Sequence, residues 1–189
     1  ADKVVVAGFG GHKNSVSAEV IAVREFAGYW EYLLDEAIFT SPAHPNWGGT
    51  GLIGGDGELL GVGSLFIQHE TVGDEIVDGN MVVPIDLLAP IIDDLLTMGR
   101  PNKKARPWLG LFGAESEGAV VVAALTEGGP AHDADVEVGD IVRAVAGNEI
   151  DSLADFFRNI WSIGPAGVEV PLLIERQGEV VEIYISSVA

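Results

Sequence analysis

The sequence predicts a mainly β protein in two modules, the second of them α+β, joined at a short basic segment. Three observations carry this. Short β-branched runs bounded by glycine recur through both halves, and the apolar pattern switches to a period of 3.6 in only two places. Arg100 to Arg106, reading RPNKKAR, is the most polar and most basic stretch and follows a helix stop. The boundary is therefore expected there, giving modules of residues 1–103 and 104–189. With 48% apolar residues, the 189-residue chain holds enough core for two domains of ordinary size.

In the first module Val4 to Ala7 is a β-branched run closed by Gly8, Gly10 and Gly11, and Ser17 to Val23 alternates as a strand. Glu36 to Thr40 leads into a stretch crowded with proline and glycine, Ser41 to Gly57, and Glu58 to Gln68 reads as a buried strand. From Asp86 onward Leu88, Ile91, Ile92, Leu95 and Leu96 share one helical face, opposite Asp93 and Asp94. Pro90 fits only the first turn of that helix, and Gly99 with Pro101 ends it.

In the second module strands are expected at Trp108 to Phe112, Ala119 to Leu125, Asp140 to Val145, Val168 to Arg176 and Val180 to Ser186. A helix lies between them. Ser152 caps it with Asp155 three residues on, Leu153, Phe156, Phe157, Ile160 and Trp161 form its apolar stripe, and Gly164 with Pro165 stops it. Gly129-Pro130-Ala131 makes a turn and short helix, and Gly139-Asp140 a tight turn before a core strand. Gly147-Asn148 reads as a hairpin turn, because both residues tolerate positive φ.

The net charge of -19 comes from 29 acids against 10 bases, spread over both halves, and such a surface repels phosphate backbones and anionic membranes. Nucleic acid and membrane insertion are not expected. No run reaches the roughly 18 apolar residues of a membrane span, and no signal sequence precedes Val4, so any export signal is expected to have been removed or never to have been there. The absence of cysteine excludes disulfides, zinc ribbons and thiol catalysis, and is compatible with an oxidising compartment. His44 stands beside the Pro45 turn, while His12, His69 and His132 are expected in solvated loops. Their spacing suits no metal, and Asp133-Ala134-Asp135 and Asp56-Gly57-Glu58 read as turns, not calcium loops. Neither a metal nor a cofactor is expected.

Three pieces of the second module resemble the PDZ domains of HtrA-type bacterial proteases: RPWLGL from Arg106, GGPAHDADVEVGDIVRAVAGNEI from Gly128, and SLADFFRNI from Ser152. The resemblance implies that a bound peptide adds a strand to an open sheet edge and that backbone N–H groups hold its terminal carboxylate. It places that loop at Trp108, Leu109, Gly110 and Leu111, with Leu153, Phe157 and Ile160 on the facing helix. Lys103, Lys104 and Arg106 stand just upstream to attract a carboxylate. The aromatic residues of the stripe also have a plain role as core.

The first module resembles the second barrel of the trypsin-like double β-barrel of the same family. VVVAGFGG, HPNWGGTGLIGGDGELLGVGSLFI and NMVVPIDLLAPIIDDLL match its opening strand, the segment around its serine, and its last strand and closing helix. The family nucleophile lies in a Pro-Gly-Asn-Ser-Gly-Gly turn. An ungapped match on Pro45, Gly57 and Gly61 puts Gly48 at the serine, whereas a gapped match on Asn46 and Gly48-Gly49 puts Trp47 there. Neither side chain carries an attacking oxygen, and Thr50 is displaced too far to replace it. The resemblance leaves the N–H groups of Asn46 and Gly48 as an oxyanion hole, Asn46 being suited to a left-handed backbone. It sets Val62, Gly63 and Ser64 along the substrate side. The family's histidine and aspartate belong to a first barrel that would precede Ala1, so a processed chain or a partner covering the exposed face is expected.

The implied function is that of an exported, periplasmic, non-catalytic HtrA-type homologue in protein quality control. It would bind peptides or unfolded proteins through its PDZ domain, as a homo-oligomer or beside an active protease homologue. The alternative is a fragment or mutant of an active trypsin-like endopeptidase with PDZ-regulated proteolysis.

Overall fold

The computed structural model describes residues 2–70, 76–116 and 118–189. The chain packs as two compact units, Ala1–Phe26 with Leu34–Asn102, and Ala27–Leu33 with Lys103–Ala189.

The first unit is built on β1 (Lys3–Ala7), β2 (Ser15–Gly28), β3 (Tyr32–Ser41), β4 (Gly51–Ile53), β5 (Leu59–Glu70) and β6 (Ile76–Pro84). They close into a barrel in the order β1-β2-β3-β6-β5-β4. Strand periodicity sends Val4 and Val6 inward and Val5 outward, and the inward pair packs with Ala18, Leu52 and Val82. β4 lies inside the stretch expected to be turns. Three residues among glycines show no alternation of their own, and pairing with β1 and β5 is what makes them a strand.

The helix of this unit is shorter than expected. A 3-10 turn occupies Ile85–Leu87, and α1 (Ile92–Met98) begins only past Pro90, which lacks an N–H and restricts the residue before it. Gly99 ends it in a left-handed conformation. The apolar face expected to be buried is open, with Ile92 39% and Leu96 78% exposed. Asp94 instead accepts the N–H of Asn102 at 2.8 Å and ties the helix to the chain that follows it.

The second unit carries β7 (Leu111–Ser116), β8 (Ala119–Leu125), α2 (Pro130–Asp133), β9 (Ile141–Val145), β10 (Asn148–Glu149), α3 (Leu153–Ile163), β11 (Glu169–Arg176) and β12 (Glu179–Ser186). The sheet order is β12-β11-β9-β8-β7, with β10 paired to β9, so β7 is an edge. α3 starts as predicted, the Asp155 N–H donating to Ser152 Oγ at 3.1 Å. Its stripe, Leu153, Phe156, Phe157 and Ile160, is buried against Val120, Val122, Leu172 and Ile174. Each of these side chains contributes about 1.5–3 kcal/mol on leaving water.

Two local expectations are corrected. Trp108 is outside the strand, which starts at Leu111 because Gly110 holds a left-handed φ of 68°. The hairpin turn falls one residue earlier than expected. Asn148 pairs with Val145, so Ala146 (φ 49°) and Gly147 (φ 80°) are its central residues.

Asp140, 1% exposed, follows the Gly139 turn and meets Arg176 of β11 in two hydrogen bonds of 2.7 Å. Burial pushes its carboxyl up, but the Arg176 hydrogen bonds, the Glu137 N–H and the guanidinium charge together hold it below the usual aspartate value.

Candidate functional site

In the first unit the segment from His44 to Thr50 forms a tight turn against β5. His44 is buried, not solvated. Its N–H donates to Asn80 Oδ1 at 2.7 Å, its Nδ1 accepts from the Asn46 N–H at 3.0 Å, and its Nε2 lies 3.1 Å from Asn14 O. These partners make Nδ1 the acceptor and place the ring proton on Nε2. Gly8 lies close beside the ring: a Cβ there would sit 2.8 Å from Asn14 Nδ2 and 3.0 Å from His44 Cε1. The other histidines lie in regular elements and not in the loops expected: His12 is in the 3-10 turn Gly11–Asn14, His69 in β5 and His132 in α2.

The turn itself is held by its own backbone. Gly49 N donates to Gly63 O at 2.9 Å, Gly63 N to Thr50 O at 2.7 Å, and Thr50 N to Trp47 O at 3.2 Å. Thr50 Oγ1 also donates to Trp47 O, at 2.8 Å, and is 2% exposed, so the nearest hydroxyl points into the fold. Gly63 permits this closeness, since a Cβ would collide with Thr50 Oγ1 and Trp47 O. The left-handed residue of the turn is Gly49 (φ 77°), not Asn46. Gly48 is exposed with open space where a side chain would begin, and a cleft of about 390 Å³ runs past it between Gly8, Phe9, Asn14 and Asn46. Of the two N–H groups expected to form an oxyanion hole, that of Asn46 is committed to His44. On β5, Val62 is exposed, Gly63 buried, and Ser64 sits at a register shift between Gly63 and Leu65.

In the second unit the expected carboxylate loop precedes the edge strand β7. Trp108 pairs with Val188, its O accepting from Val188 N at 3.1 Å. Leu109 O accepts from Ala131 N at 2.8 Å, and Gly110 O from Thr126 N at 2.8 Å. A trans peptide points its N–H opposite to its C=O. With these three carbonyls directed into Val188, α2 and the end of β8, the N–H groups of Leu109, Gly110 and Leu111 are turned the other way. A left-handed residue inside such a run makes successive N–H groups converge as an anion-binding nest. Gly110 supplies it, and a Cβ at that position would press on the Trp108 ring at 3.1 Å.

The remaining expected binding residues are core. Leu109, Leu111, Leu153, Phe157 and Ile160 are all at most 4% exposed. Trp161 is half-buried, stacks on Phe157 at 5.5 Å and carries the Arg106 guanidinium 3.8 Å above its ring. Glu115 Oε1 accepts from Leu153 N at 2.7 Å and ties β7 to the start of α3. Among the described residues no group of three or more His, Cys, Asp or Glu is placed to hold a metal, and no helix is long and apolar enough to cross a membrane.

A family model for the PDZ domain matches residues 107–186. The chain is 24% identical over 152 residues to the serine protease Do-like HtrA of Bacillus subtilis, covering 72% of this chain and 33% of that protein. It is 29% identical over 148 residues to a probable periplasmic serine endoprotease DegP-like of Halomonas elongata, covering 72% and 30%. The chain thus spans a third or less of the length of these relatives. Among solved structures, a serine endoprotease from Yersinia pestis aligns with TM-score 0.55 and 23% identity, over 100% of this chain and 62% of that one. The HtrA-type protease AlgW with tripeptide aligns with TM-score 0.59 and 18% identity, over 98% and 64%. At these identities the structural likeness is one of fold. Together with the PDZ match, the relatives make this chain homologous, at low identity and broad coverage, to an HtrA-family serine protease domain joined to a PDZ domain.

Proposed function

We propose that this chain binds peptides or unfolded proteins by their C-termini through the second unit, and that its protease-like unit does not cleave them. The observation that carries the reading is the run Leu109–Leu111, whose preceding carbonyls are all engaged within the unit beside β7, which among the described residues pairs with β8 alone. In this reading Trp108 and Gly110 shape the loop, and Leu153, Phe157 and Ile160 hold the helix that walls it. The domain boundary falls at residues 103 and 104, and the first unit corresponds to the second barrel of a trypsin-like pair.

Catalytic silence is supported by Gly48 at the nucleophile position, or Trp47 in the other register, and by a Thr50 hydroxyl turned inward. Val62, Gly63 and Ser64 would then flank a cleft that holds chain without cutting it. The periplasmic names of DegP-like relatives support an exported location.

The test is an anisotropy titration with peptides differing only in a free or amidated C-terminus. Free-acid peptides are expected to bind at least tenfold more tightly. Equal binding removes the carboxylate role, and binding of neither removes the reading. Covalent labelling of Asn46 to Thr50 by a fluorophosphonate would remove the claim of silence.

A further inference from the structure

The carbonyls of Trp108, Leu109 and Gly110 point at Val188, at Ala131 of α2 and at Thr126, and these same elements wall a second cavity. Its volume of about 480 Å³ is that of a small-ligand site, and it lies on the carbonyl side of the loop, away from the N–H groups of Leu109 to Leu111. Tyr184, Ser186 and Val188 alternate along the end of β12 and present one face to it, opposite the buried Ile185 and Ser187. Trp108 stands beside them through its bridge to Val188.

The chemistry of these walls is one-sided. The rings of Trp108 and Tyr184 are joined by the hydroxyls of Thr126 and Ser186, and Asp133 of α2 is the one charged group among the described lining residues. Its carboxylate is 69% exposed. His132 Nδ1 comes within 3.5 Å of it but accepts the Gly128 N–H at 3.4 Å, so that nitrogen directs no proton at the carboxylate. Arg106, Arg143 and Arg176 are held elsewhere, by Trp161, Glu175 and Asp140. Aromatic faces attract a cation through their quadrupole, and a carboxylate at the same mouth adds its charge to the attraction. A neutral ligand would leave Asp133 without a partner, and an anion would be repelled both by Asp133 and by a chain of net charge -19.

We propose that this cavity is a second binding site, for an organic cation: the guanidinium or alkylammonium group of a basic side chain on a bound polypeptide, or a free cation of the same chemistry. The cation packs on Trp108 and Tyr184 with its charge toward Asp133, and the Thr126 and Ser186 hydroxyls accept from its N–H groups where it has them. The site is separate from the Leu109–Leu111 reading and stands whether or not peptide carboxylates bind there. Because Asp133 is exposed, the attraction weakens as salt is added.

The test is a titration of the isotope-labelled chain at low salt, followed at the Trp108 indole N–H and the Gly128 and Gly129 amides. The probes are two cations, N-acetyl-arginine methylamide and choline, each with an uncharged twin, N-acetyl-citrulline methylamide and dimethylbutanol. The cations are expected to shift these resonances saturably and to bind about fivefold more tightly than their twins. Asp133→Asn and Tyr184→Ser, both at exposed positions and checked by thermal melts, are each expected to weaken the cations by about fivefold. A response to the arginine derivative alone assigns the site to basic side chains, and one to choline alone assigns it to free quaternary cations. Either supports the cation site. An uncharged twin that binds as tightly as its cation, no shift at Trp108 with either cation, or unchanged affinity in both variants overturns it.

Discussion

The turn at Asn46 to Thr50 and the loop at Leu109 to Leu111 are both short, glycine-bearing and backed by a sheet, yet the fold commits their backbone donors differently. In the first, donors are engaged: Asn46 N by His44, Gly49 N by Gly63 O and Thr50 N by Trp47 O. In the second, acceptors are engaged, with the carbonyls of Trp108, Leu109 and Gly110 all directed into the unit. What a loop can bind follows from which of its obligatory hydrogen-bonding groups the surrounding structure has left over. One of the two expected oxyanion donors of the first is already committed, whereas the N–H groups of the second face away from its engaged carbonyls.

The comparison breaks most visibly if the second unit loses its anchor. Arg176→Met leaves Asp140 buried and unpaired, and is expected to destabilise that unit by about 3 kcal/mol in urea unfolding. The same pair sets the acid response. Because the folded Asp140 pKa lies below its unfolded value of 3.8, its contribution is complete above that value and is lost as pH falls through and below it. The variant should therefore show a flatter stability profile than the parent chain in that acid range. An unchanged profile would mean that Asp140 does not carry the effect.

A smaller effect is expected in the first unit. Gly63→Ala forces a methyl group into Thr50 Oγ1 and Trp47 O, at a cost of about 2 kcal/mol, without weakening peptide binding. A drop in peptide affinity would show that the two regions do not act separately. Gly48→Ser should do least, within about 0.5 kcal/mol, because its side chain enters open space. It should also remain unlabelled by a fluorophosphonate, since His44, the histidine at the start of the same turn, has both ring nitrogens engaged.

Elements whose signals are local were legible in the sequence. β8 runs over the residues expected, Ala119–Leu125, and α3 begins at its Ser152 cap and ends at Gly164, because alternation, stripe and cap all lie within the segment. β4 was not legible, being three residues whose strand character comes from neighbours on both sides. The burial of His44 depends on Asn14 and Asn80, and that of Asp140 on Arg176, all distant in sequence. The loop proposed to hold a carboxylate was marked by its motif, and the direction of its N–H groups follows only from where its carbonyls point.

The most direct measurement is the backbone amide spectrum of the chain, isotope-labelled and titrated with a free-acid decapeptide and with its amidated twin. The account predicts that the amides of Leu109, Gly110 and Leu111 shift most, with the free acid and far less with the amide, while Gly48 and Gly49 stay in place. Equal shifts with both peptides, or shifts centred on Asn46 to Thr50, would contradict it.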